Sequence, residues 1–296
     1  MGIEKARNGA VEIAYERFGA VDAKPLIWLN GAGAQMVMFW DELCAALVEQ
    51  GFQVVRMDTR DTGLSTHLTQ YDVPRRQRPP RYTLRDLADD VIAVFDDLGW
   101  SGAHVAGMSE GGTIAQAVAT YHPDRVRSLT SISSTPTPSL RVNRPKLRTN
   151  LRIFSLMRRK SADRDAEGQK WVDLFRLAGS PVYALDEDHW REAGRLAYDR
   201  GLNPAGDGRL SATLFAAGDR REELASVRAP TLVMHGDADP MASPCAGRAT
   251  ADAIPGARFV CYPGMGHDLP RELWPDVLEE ITALATRAEN LPADRR

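Results

Sequence analysis

The sequence predicts an α/β fold, in which a mostly parallel sheet carries helices on both faces and is interrupted by a helical insertion. Short apolar runs alternate with amphipathic helical runs along the first part of the chain, as in parallel strands joined by helices. The alternation stops after Pro136, gives way to helical patterns as far as Leu224, and then resumes. Because 43% of the 296 residues are hydrophobic, the chain is also apolar enough for a large core.

The composition excludes several classes of protein. The 37 basic and 40 acidic residues give a formal net charge of -3, which argues against a nucleic-acid-binding surface over the whole chain. The 3 cysteines lie far apart without C-x-x-C spacing, so we expect a reducing compartment and neither a disulfide framework nor a zinc site. The N-terminus is too polar for a signal peptide, and no apolar run approaches the ~18 residues of a membrane span. We therefore expect a soluble, cytoplasmic protein without a metal or stable membrane insertion.

The predicted elements begin with a hairpin. The dipeptide Asn8-Gly9 lies between the runs 3–7 and 11–15, and Asn-Gly in this position is the strongest short signal of a hairpin turn. A buried strand, a helix closed by a glycine and a second strand follow at residues 25–29, 39–50 and 52–57. Strands joined by helices in this way pair in parallel.

The next helix is marked at both ends. Thr83 and Asp86 have the spacing of a capping box, and Gly99 follows the last turn. Its apolar residues recur at helical spacing: Leu84, Leu87, Val91, Phe95 and Leu98. A strand, a helix and another strand are then expected at residues 103–106, 113–119 and 128–133.

Residues 136–224 carry helical patterns and no convincing strand. Helices are expected at 144–160, 171–177, 189–198 and 210–215. The first of them has an apolar stripe of Leu147, Leu151, Phe154 and Met157. Strands return at 230–234 and 258–262, and a last helix follows at about 274–285. The predicted organisation is a core of residues 1–135 and 225–296 with an inserted helical cap, residues 136–224.

The turn between the strand 103–106 and the helix 113–119 has the sequence of a nucleophile elbow. Residues 107–111 match G-x-S-x-G, in which the serine sits on a sharp strand-to-helix turn that only small neighbours permit. Ser109 would then project from the carboxyl end of its strand, beside a helix N-terminus that favours negative charge. Because glycine and serine are common in turns, this pentapeptide alone is equally compatible with an ordinary glycine turn.

A nucleophilic serine needs a base, and the base needs an orienting acid; behind an elbow they follow in the order Ser, acid, His. His267 lies in a glycine-flanked loop after the last strand, from which it can reach across the carboxyl edge of the sheet. Asp237 and Asp239 both follow the preceding strand. We favour Asp239, which is further from that strand, since Asp237 can serve its own turn. With His235 the two also resemble a metal cluster, but a turn explains them adequately.

The other histidines have simpler interpretations. His67, His122 and His189 have polar surroundings, so we expect them at the surface. His104 lies inside a strand and is expected to pack in the core. His235 ends a strand, where its ring can bond the backbone of a turn.

Acyl transfer also needs two backbone N–H groups that stabilise the oxyanion of the tetrahedral intermediate. One should belong to the residue after the nucleophile, which is Glu110. The other should belong to the loop 30–34, whose small residues let the backbone approach a substrate closely. Ala32 is the expected donor, with Gly33 second.

The order of these motifs resembles that of the α/β-hydrolase fold superfamily, over nearly the whole chain. The matching segments are residues 30–33, 58–65, 107–111, 235–240 and 264–267. The segment 60–65 and the long cap are similar to those of aclacinomycin methylesterase-like and other bacterial esterases. The resemblance implies an eight-stranded, mostly parallel sheet, carboxylic ester hydrolysis without a cofactor, and a cap that forms the substrate pocket. It also makes Ser109 the nucleophile, Asp239 the acid and His267 the base.

Two residues depart from the family pattern. Asn30 stands where many members have His, and Glu110 stands where many have Met or Gln. A carboxylate beside the nucleophile would oppose an oxyanion if it pointed inward, so we expect Glu110 to point away and to favour the helix N-terminus. For Asp58 and Arg60 contact with the substrate is one interpretation, and we favour a structural role near the sheet edge.

We therefore expect a serine-dependent hydrolase of a small or medium-sized ester, such as a natural-product methyl ester or lactone of macrolide or polyketide type. Gly33 and four cap aromatics are candidate substrate contacts, the aromatics being Trp171, Phe175, Trp190 and Phe215. Lactone or C–C bond hydrolysis and non-hydrolytic cyclase or lyase steps stay open on the same fold, as does ligand binding without catalysis. The expected partner is a small molecule and not a nucleic acid, and the protein is expected to be a monomer or homodimer.

Residues 141–160 contain eight basic residues and no acidic one. A solvated helix face is the usual interpretation of such a segment, and contact with an anionic membrane or substrate is the sharper one. Aromatic residues are too few here to suggest nucleic-acid binding.

Overall fold

The centre of the molecule is an eight-stranded sheet, seen in a computed structural model that describes residues 2–69 and 82–291. The strands are β1 (Glu4–Asn8), β2 (Val11–Phe18), β3 (Lys24–Leu29), β4 (Phe52–Met57), β5 (Ala103–Met108), β6 (Val126–Ile132), β7 (Thr231–Gly236) and β8 (Arg258–Tyr262). Their order is β1-β2-β4-β3-β5-β6-β7-β8. β2 pairs antiparallel with β1 and β4, and the remaining neighbours pair in parallel. The predicted fold class is therefore confirmed.

The predicted hairpin opens the sheet. Asn8 pairs with Val11 around Gly9, whose φ of 59° lies in the left-handed region that glycine adopts without strain. In the parallel part, Ile27 of β3 lies between Val55 of β4 and Val105 of β5. These strands are buried on both faces, which explains why their sequences are apolar runs and not alternating ones.

Helices cover both faces of this sheet. They are α1 (Asp41–Glu49), α2 (Leu84–Asp97), α3 (Glu110–Tyr121), α4 (Leu147–Met157), α5 (Arg164–Ala178), α6 (Glu187–Arg200), α7 (Pro204–Ala216), α8 (Arg221–Leu224), α9 (Pro244–Ala253) and α10 (Trp274–Glu289). The capping box of α2 is formed, since Thr83 Oγ1 accepts from Asp86 N at 3.3 Å and Asp86 Oδ2 accepts from Thr83 N at 2.7 Å. Within the described ranges, every helix is too short or too polar to cross a membrane.

Two apolar clusters lie on opposite sides of the sheet. Leu47 of α1 and Ile281 of α10 belong to one cluster, which continues into the segment between β6 and β7. Phe95 of α2 and Ile114 of α3 belong to the other. The sheet therefore has helices on both sides, as the alternating pattern predicts.

Helices α4 to α8 all lie between β6 and β7. α5 and α6 cross at a pair of glycines, where a Cβ on Gly194 would lie 2.8 Å from the Cα of Gly168. This close approach joins the two helices through their backbones. α8 instead packs against α3 and α9, beside the sheet.

Helix α4 turns most of its apolar stripe outward. Leu147, Leu151 and Phe154 are 64%, 70% and 48% exposed, whereas Asn150 and Ile153 are buried. Asn150 Nδ2 donates to the carbonyl oxygen of Pro240 at 2.5 Å, so a polar anchor fixes which face of the helix is covered. The helical spacing of the stripe is confirmed, and three of its four residues face away from the rest of the protein.

Candidate active site

The turn between β5 and α3 has a strained backbone. Ser109 lies there with φ 57° and ψ -118°, a conformation that a residue with a side chain adopts only where its surroundings impose it. A Cβ on Gly107 would lie 2.2 Å from the carbonyl oxygen of Gly111, and one on Gly111 would lie 2.1 Å from that of Leu29. Neither position has room for a side chain, so the glycines of the predicted elbow are required by packing.

Ser109, His267 and Asp239 form a continuous chain of hydrogen bonds. His267 Nε2 lies 2.9 Å from Ser109 Oγ, and His267 Nδ1 lies 2.7 Å from Asp239 Oδ2. An ionised carboxylate can only accept, so Nδ1 carries the hydrogen of the neutral ring. Nε2 is then left to accept the hydrogen of the serine hydroxyl, which is the geometry that a general base needs.

The loop after β7 distinguishes the two candidate acids. Asp239 is buried, and its Oδ1 accepts the N–H groups of Met241 and Ala242 at 2.8 and 2.9 Å. Asp237 Oδ1 instead accepts the N–H of Gly264 at 2.6 Å. Asp239 is thus the carboxylate that reaches His267, while Asp237 joins two loops.

His235 lies beneath this loop. Its Nε2 is 2.9 Å from the carbonyl oxygen of Ala242 and 3.6 Å from Asp239 Oδ2. Burial lowers the pKa of His235, so the neutral ring donates to the carbonyl and holds the turn. Within residues 2–69 and 82–291, no group of three or more His, Cys, Asp or Glu side chains is placed to hold a metal ion.

Burial and charge act in opposite directions on the hydrogen-bonded chain. Burial raises the pKa of Asp239, but the charge of His267 and its hydrogen bond outweigh burial, so the pKa lies below its usual value. Burial lowers the pKa of His267, but Asp239 outweighs that effect and raises it. Each group therefore favours the ionised form of the other, and Asp239 can stabilise the imidazolium that forms when His267 takes a proton.

The loop after β3 approaches the nucleophile closely. A Cβ on Gly31 would lie 3.2 Å from the Cβ of Ser109. Asn30 fixes this loop, because its Oδ1 accepts from Trp28 Nε1 at 3.0 Å and its Nδ2 donates to the carbonyl oxygen of Gln35 at 2.8 Å. Asn30 thus orders the loop beside the nucleophile.

Two backbone N–H groups beside Ser109 have no acceptor among the described residues. They belong to Ala32, which lines the same cavity as Ser109, and to Glu110, the first residue of α3. An N–H at the start of a helix has no partner within that helix and can bind an anionic group. Both groups are those expected to hold an oxyanion.

The side chain of Glu110 is buried next to α7. Its Oε1 accepts no hydrogen bond from the part of the chain that the structure describes. Burial raises the pKa of Glu110 to about 8, and the nearby Asp207 adds to the effect. The carboxyl is therefore largely protonated at neutral pH and places little charge beside the nucleophile. The side chain lies outside the cavity lining, as expected, while its raised pKa disfavours the ionised form that would interact with the helix N-terminus.

A narrow cavity of about 90 Å³ lies between Ser109 and helices α4 to α6. Trp171, Phe175 and Trp190 line it, as expected. The core contributes further apolar side chains that the sequence did not single out: Trp28, Met38, Phe39, Trp40, Met108 and Met241.

Two expected substrate contacts lie elsewhere. Phe215 is 65% exposed and does not line the cavity. Gly33 does not line it either; a Cβ there would lie 3.6 Å from the carboxyl carbon of Asp207. Phe215 was expected inside because it is a cap aromatic, but its position on α7 faces solvent.

Aromatic rings from the two parts of the chain meet above the nucleophile. The rings of Phe175 and Trp190 stack with centroids 3.5 Å apart, and Trp190 meets Trp40 edge-on at 5.1 Å. His189 stacks on Trp40 at 4.4 Å, and its Nε2 donates to the carbonyl oxygen of Met38 at 3.0 Å. The expectation that His189 is a surface residue is therefore wrong. It rested on the polar residues next to His189 in the sequence, whereas the ring packs against Trp40, which is distant in the sequence.

The end of α5 is bonded to the loop that carries His267. His267 N donates to the carbonyl oxygen of Ala178 at 2.7 Å. The carboxylate of Asp268 accepts from Ser180 N and Oγ at 3.1 and 2.5 Å, and Gly266 N donates to Ser180 Oγ at 2.8 Å. The sequence offered no signal for these contacts, because they join residues far apart in the chain.

Asp58 and Arg60 have the structural roles expected of them. Asp58 is buried and accepts from Met36 N at 2.7 Å and from Arg200 Nη2 at 2.5 Å. Arg60 forms two hydrogen bonds with Asp90, at 2.6 and 2.7 Å. Neither side chain lines the cavity.

Comparisons with known proteins agree with this architecture. The family model described as alpha/beta hydrolase fold matches residues 24–270. The chain is 30% identical over 271 residues to rhodomycin D methylesterase DauP from Streptomyces sp. (strain C5), covering 83% of this chain and 85% of that protein. It is 27% identical over 277 residues to bifunctional esterase/perhydrolase DCH from Acinetobacter calcoaceticus, covering 91% and 94%. The enol-lactonase structure from Burkholderia xenovorans LB400 superposes with a TM-score of 0.72 at 24% identity, covering 96% and 100%. The chain therefore belongs to the α/β-hydrolase fold family.

Proposed function

We propose that the protein is a serine-dependent carboxylic ester hydrolase with Ser109, His267 and Asp239 as its catalytic triad. The observation that carries the proposal is the pair of hydrogen bonds that His267 makes beside an apolar cavity, 2.9 Å to Ser109 Oγ and 2.7 Å to Asp239 Oδ2. The names of two relatives, a methylesterase and an esterase/perhydrolase, support the same class of reaction.

The proposed mechanism passes through an acyl-enzyme. His267 Nε2 takes the proton of Ser109 as Oγ attacks the ester carbonyl carbon. The N–H groups of Ala32 and Glu110 donate to the oxyanion that forms, and each such donor is typically worth ~10²–10³ in rate. The intermediate collapses as His267 gives the proton to the leaving alcohol. Water then attacks the acyl-serine with His267 as base, and Asp239 holds the imidazole tautomer throughout.

The cavity supports a substrate that is small on at least one side of the ester bond. A volume of about 90 Å³ holds roughly three water molecules. Typical ligand pockets measure about 300–1,000 Å³. A short acyl or alcohol group fits beside Ser109, and a larger group on the other side of the bond must extend past the cap. A methyl ester of a bulky natural product meets this condition, so we propose such esters as first candidates.

We also propose that residues 136–224 act as a cap over a core of residues 1–135 and 225–296. Trp171, Phe175 and Trp190 from this segment line the cavity that contains Ser109, which supports a role in substrate contact. Movement of the cap would change the room available to the substrate.

We infer a cytoplasmic location for the protein. Cys44, Cys245 and Cys261 are free, which suits a reducing compartment. A monomer or homodimer with a small-molecule ester as its substrate remains our proposal.

Replacement of the nucleophile tests the proposed function directly. We expect Ser109→Ala to abolish cleavage of p-nitrophenyl acetate and labelling by a fluorophosphonate probe, because the group proposed to form the acyl-enzyme is removed. The exposed Ser101→Ala is the matched control and should keep both activities. Hydrolysis by Ser109→Ala at the wild-type rate, with the circular dichroism spectrum unchanged, would rule out the assignment.

Analysis of the reaction products separates the alternative reactions. Hydrolysis of an ester, a lactone or a C–C bond adds the mass of water to the products, whereas a cyclase or lyase step does not. Peracid formation in the presence of hydrogen peroxide would indicate the perhydrolase activity that the name of one relative includes. Mass spectrometry of the products therefore distinguishes these reactions while Ser109 is intact.

A further inference from the structure

Helix α4 carries an apolar ridge that no described residue covers. Leu147, Leu151 and Phe154 stand at positions i, i+4 and i+7 of one helix face, and all three are well exposed. Ten large apolar side chains are exposed in the described ranges, and four of them lie between residues 140 and 154. The ridge is therefore a concentration of exposed apolar surface and not the scattered single residues that most proteins show.

The same segment carries charge that is not neutralised. All eight basic residues of the segment 141–160 are exposed, and none forms an ion pair with a described residue. The neighbouring helices differ: Arg176 of α5 pairs with Glu187, and Arg195 of α6 pairs with Asp165. The chain as a whole has a formal charge of -3, so this positive surface is a local feature and does not follow from the overall composition.

The position of α4 relates this surface to the cavity. Met157, the last residue of α4, lines the cavity that contains Ser109. On the inner side, Asn150 and the N–H of Lys146 both donate to the carbonyl oxygen of Pro240, at 2.5 and 2.9 Å. The helix is thereby held to the loop after β7 with its ridge directed outward, next to the cavity.

We propose that α4 and its flanks form a docking surface for an anionic lipid bilayer. A helix with an exposed apolar ridge, flanked by arginine and lysine and free of acidic residues, is suited to lie in the plane of a membrane interface. Leu151 and Phe154 would enter the boundary between headgroups and acyl chains. Arg148 and Arg152, each one residue after a ridge position, would meet the lipid phosphates. The surface brings the end of α4, where Met157 lines the cavity, close to the bilayer, while the rest of the molecule stays in water.

Vesicle co-sedimentation of the full chain tests the proposal. We expect binding to phosphatidylcholine vesicles that contain about one-third phosphatidylglycerol to exceed binding to pure phosphatidylcholine at least tenfold. Binding should weaken as the salt concentration rises from about 0.1 M to about 1 M, because the screening length falls from about 10 Å to about 3 Å.

Two pairs of variants separate the charges from the ridge. Arg148→Glu with Arg152→Glu should lower binding to the anionic vesicles about tenfold or more. Leu151→Ser with Phe154→Ser should lower it by a similar factor, because buried methylene groups are lost. Since all four side chains are exposed, the circular dichroism spectrum and the melting temperature should stay close to those of the wild type.

Matched controls carry the same changes on other surfaces. Arg127→Glu with Arg287→Glu alters two exposed arginines outside α4, and Leu196→Ser with Phe215→Ser alters exposed apolar residues of α6 and α7. Both controls should bind like the wild type.

Three results would overturn the proposal. The first is equal binding of the wild-type protein to the two kinds of vesicle. The second is an equal loss in the arginine controls, which would mean that net charge alone decides. The third is full binding by Leu151→Ser with Phe154→Ser, which would indicate a purely electrostatic surface, better suited to an acidic protein. Sedimentation does not depend on catalysis, so the result stands whether or not the proposed ester hydrolysis is found.

Discussion

At the residue scale, the reactive serine was predictable because its chemistry requires a local backbone geometry. There is no room for side chains at Gly107 and Gly111, on either side of Ser109, so the requirement is visible within five consecutive residues of the sequence. His267 and Asp239 were predictable from their order and from their positions after strands. The protonation state of Glu110 was not predictable, because it depends on burial and on Asp207, which comes from a helix distant in the sequence.

The tautomer of His267 can be tested at Asp239. Asp239 Oδ1 accepts two backbone N–H groups, from Met241 and Ala242, so the oxygen of an asparagine would take that place. In Asp239→Asn the NH₂ group would then face His267 Nδ1, which would have to accept, leaving the hydrogen on Nε2. Nε2 could no longer take the proton of Ser109. We expect kcat for p-nitrophenyl acetate to fall by about 10⁴.

Asp237→Asn is the matched control for this substitution. Its carboxylate bonds the N–H of Gly264 and not His267, so the variant should keep most of its activity. Equal losses in the two variants would show that the loop, and not the tautomer, is responsible. Steady-state kinetics with both purified proteins would decide between these outcomes.

A second prediction concerns the protonation of Glu110. Burial raises its pKa from the ordinary value of 4.5 to about 8 in the folded protein. Between these values the folded state holds a proton that the unfolded state releases, so the free energy of unfolding falls by up to about 1.4 kcal/mol per pH unit. Glu110→Gln does not titrate, so we expect its stability relative to the wild type to increase from pH 4.5 to about 8.

Chemical denaturation at several pH values would measure this difference. Glu279→Gln makes the same substitution at an exposed position and is the control. A difference between Glu110→Gln and the wild type that is constant over the same range would contradict a buried, protonated Glu110.

At the scale of single elements, the sequence predicted those with a marked end or a clear period. The capping box at Thr83 located the start of α2 correctly. Helix α9 was missed: its sequence is small and weakly apolar, although Ser243 and Pro244 at its start are typical of a helix N-terminus. The orientation of α4 was not predictable, because Asn150 anchors it to the distant Pro240.

The crossing of α5 and α6 gives a prediction at this scale. A Cβ on Gly194 would lie 2.8 Å from the Cα of Gly168 and 2.8 Å from Trp171 Cδ1, so Gly194→Ala must separate the helices. We expect a loss of about 1–3 kcal/mol in the free energy of unfolding. Gly208 in α7 has open space around its Cα, so Gly208→Ala should instead stabilise by about 0.4–1 kcal/mol. Urea titration of both variants would measure the contrast, and effects of the same sign would contradict it.

At the scale of the whole molecule, the fold was predictable because strand–helix alternation permits few sheet topologies. The position of the segment 136–224 on the sheet was not predictable, since it depends on polar pairs between residues far apart in the sequence. Arg200 bonds the buried Asp58, and Ser180 bonds Asp268 beside the catalytic histidine. No local sequence pattern encodes such pairs.

The small size of the cavity leads to the last prediction, which concerns the groups on both sides of the ester bond. The cavity of about 90 Å³ beside Ser109 is enclosed by Trp190 and Phe175 on the cap side and by Trp40 on the core side. A substrate with one short group can place that group inside, whereas an ester with two long chains cannot, unless the cap moves. We expect methyl octanoate and octyl acetate to be cleaved and octyl octanoate to be at least ~100-fold slower in kcat/KM, since misplacement of the carbonyl sacrifices proximity. Acid release is measured in a pH-stat. All three esters are supplied in the same mixed micelles, so that each is presented to the protein in the same way. Comparable rates for the three esters would show that α4 to α6 open widely, and that movement of the cap rather than the size of the cavity selects the substrate.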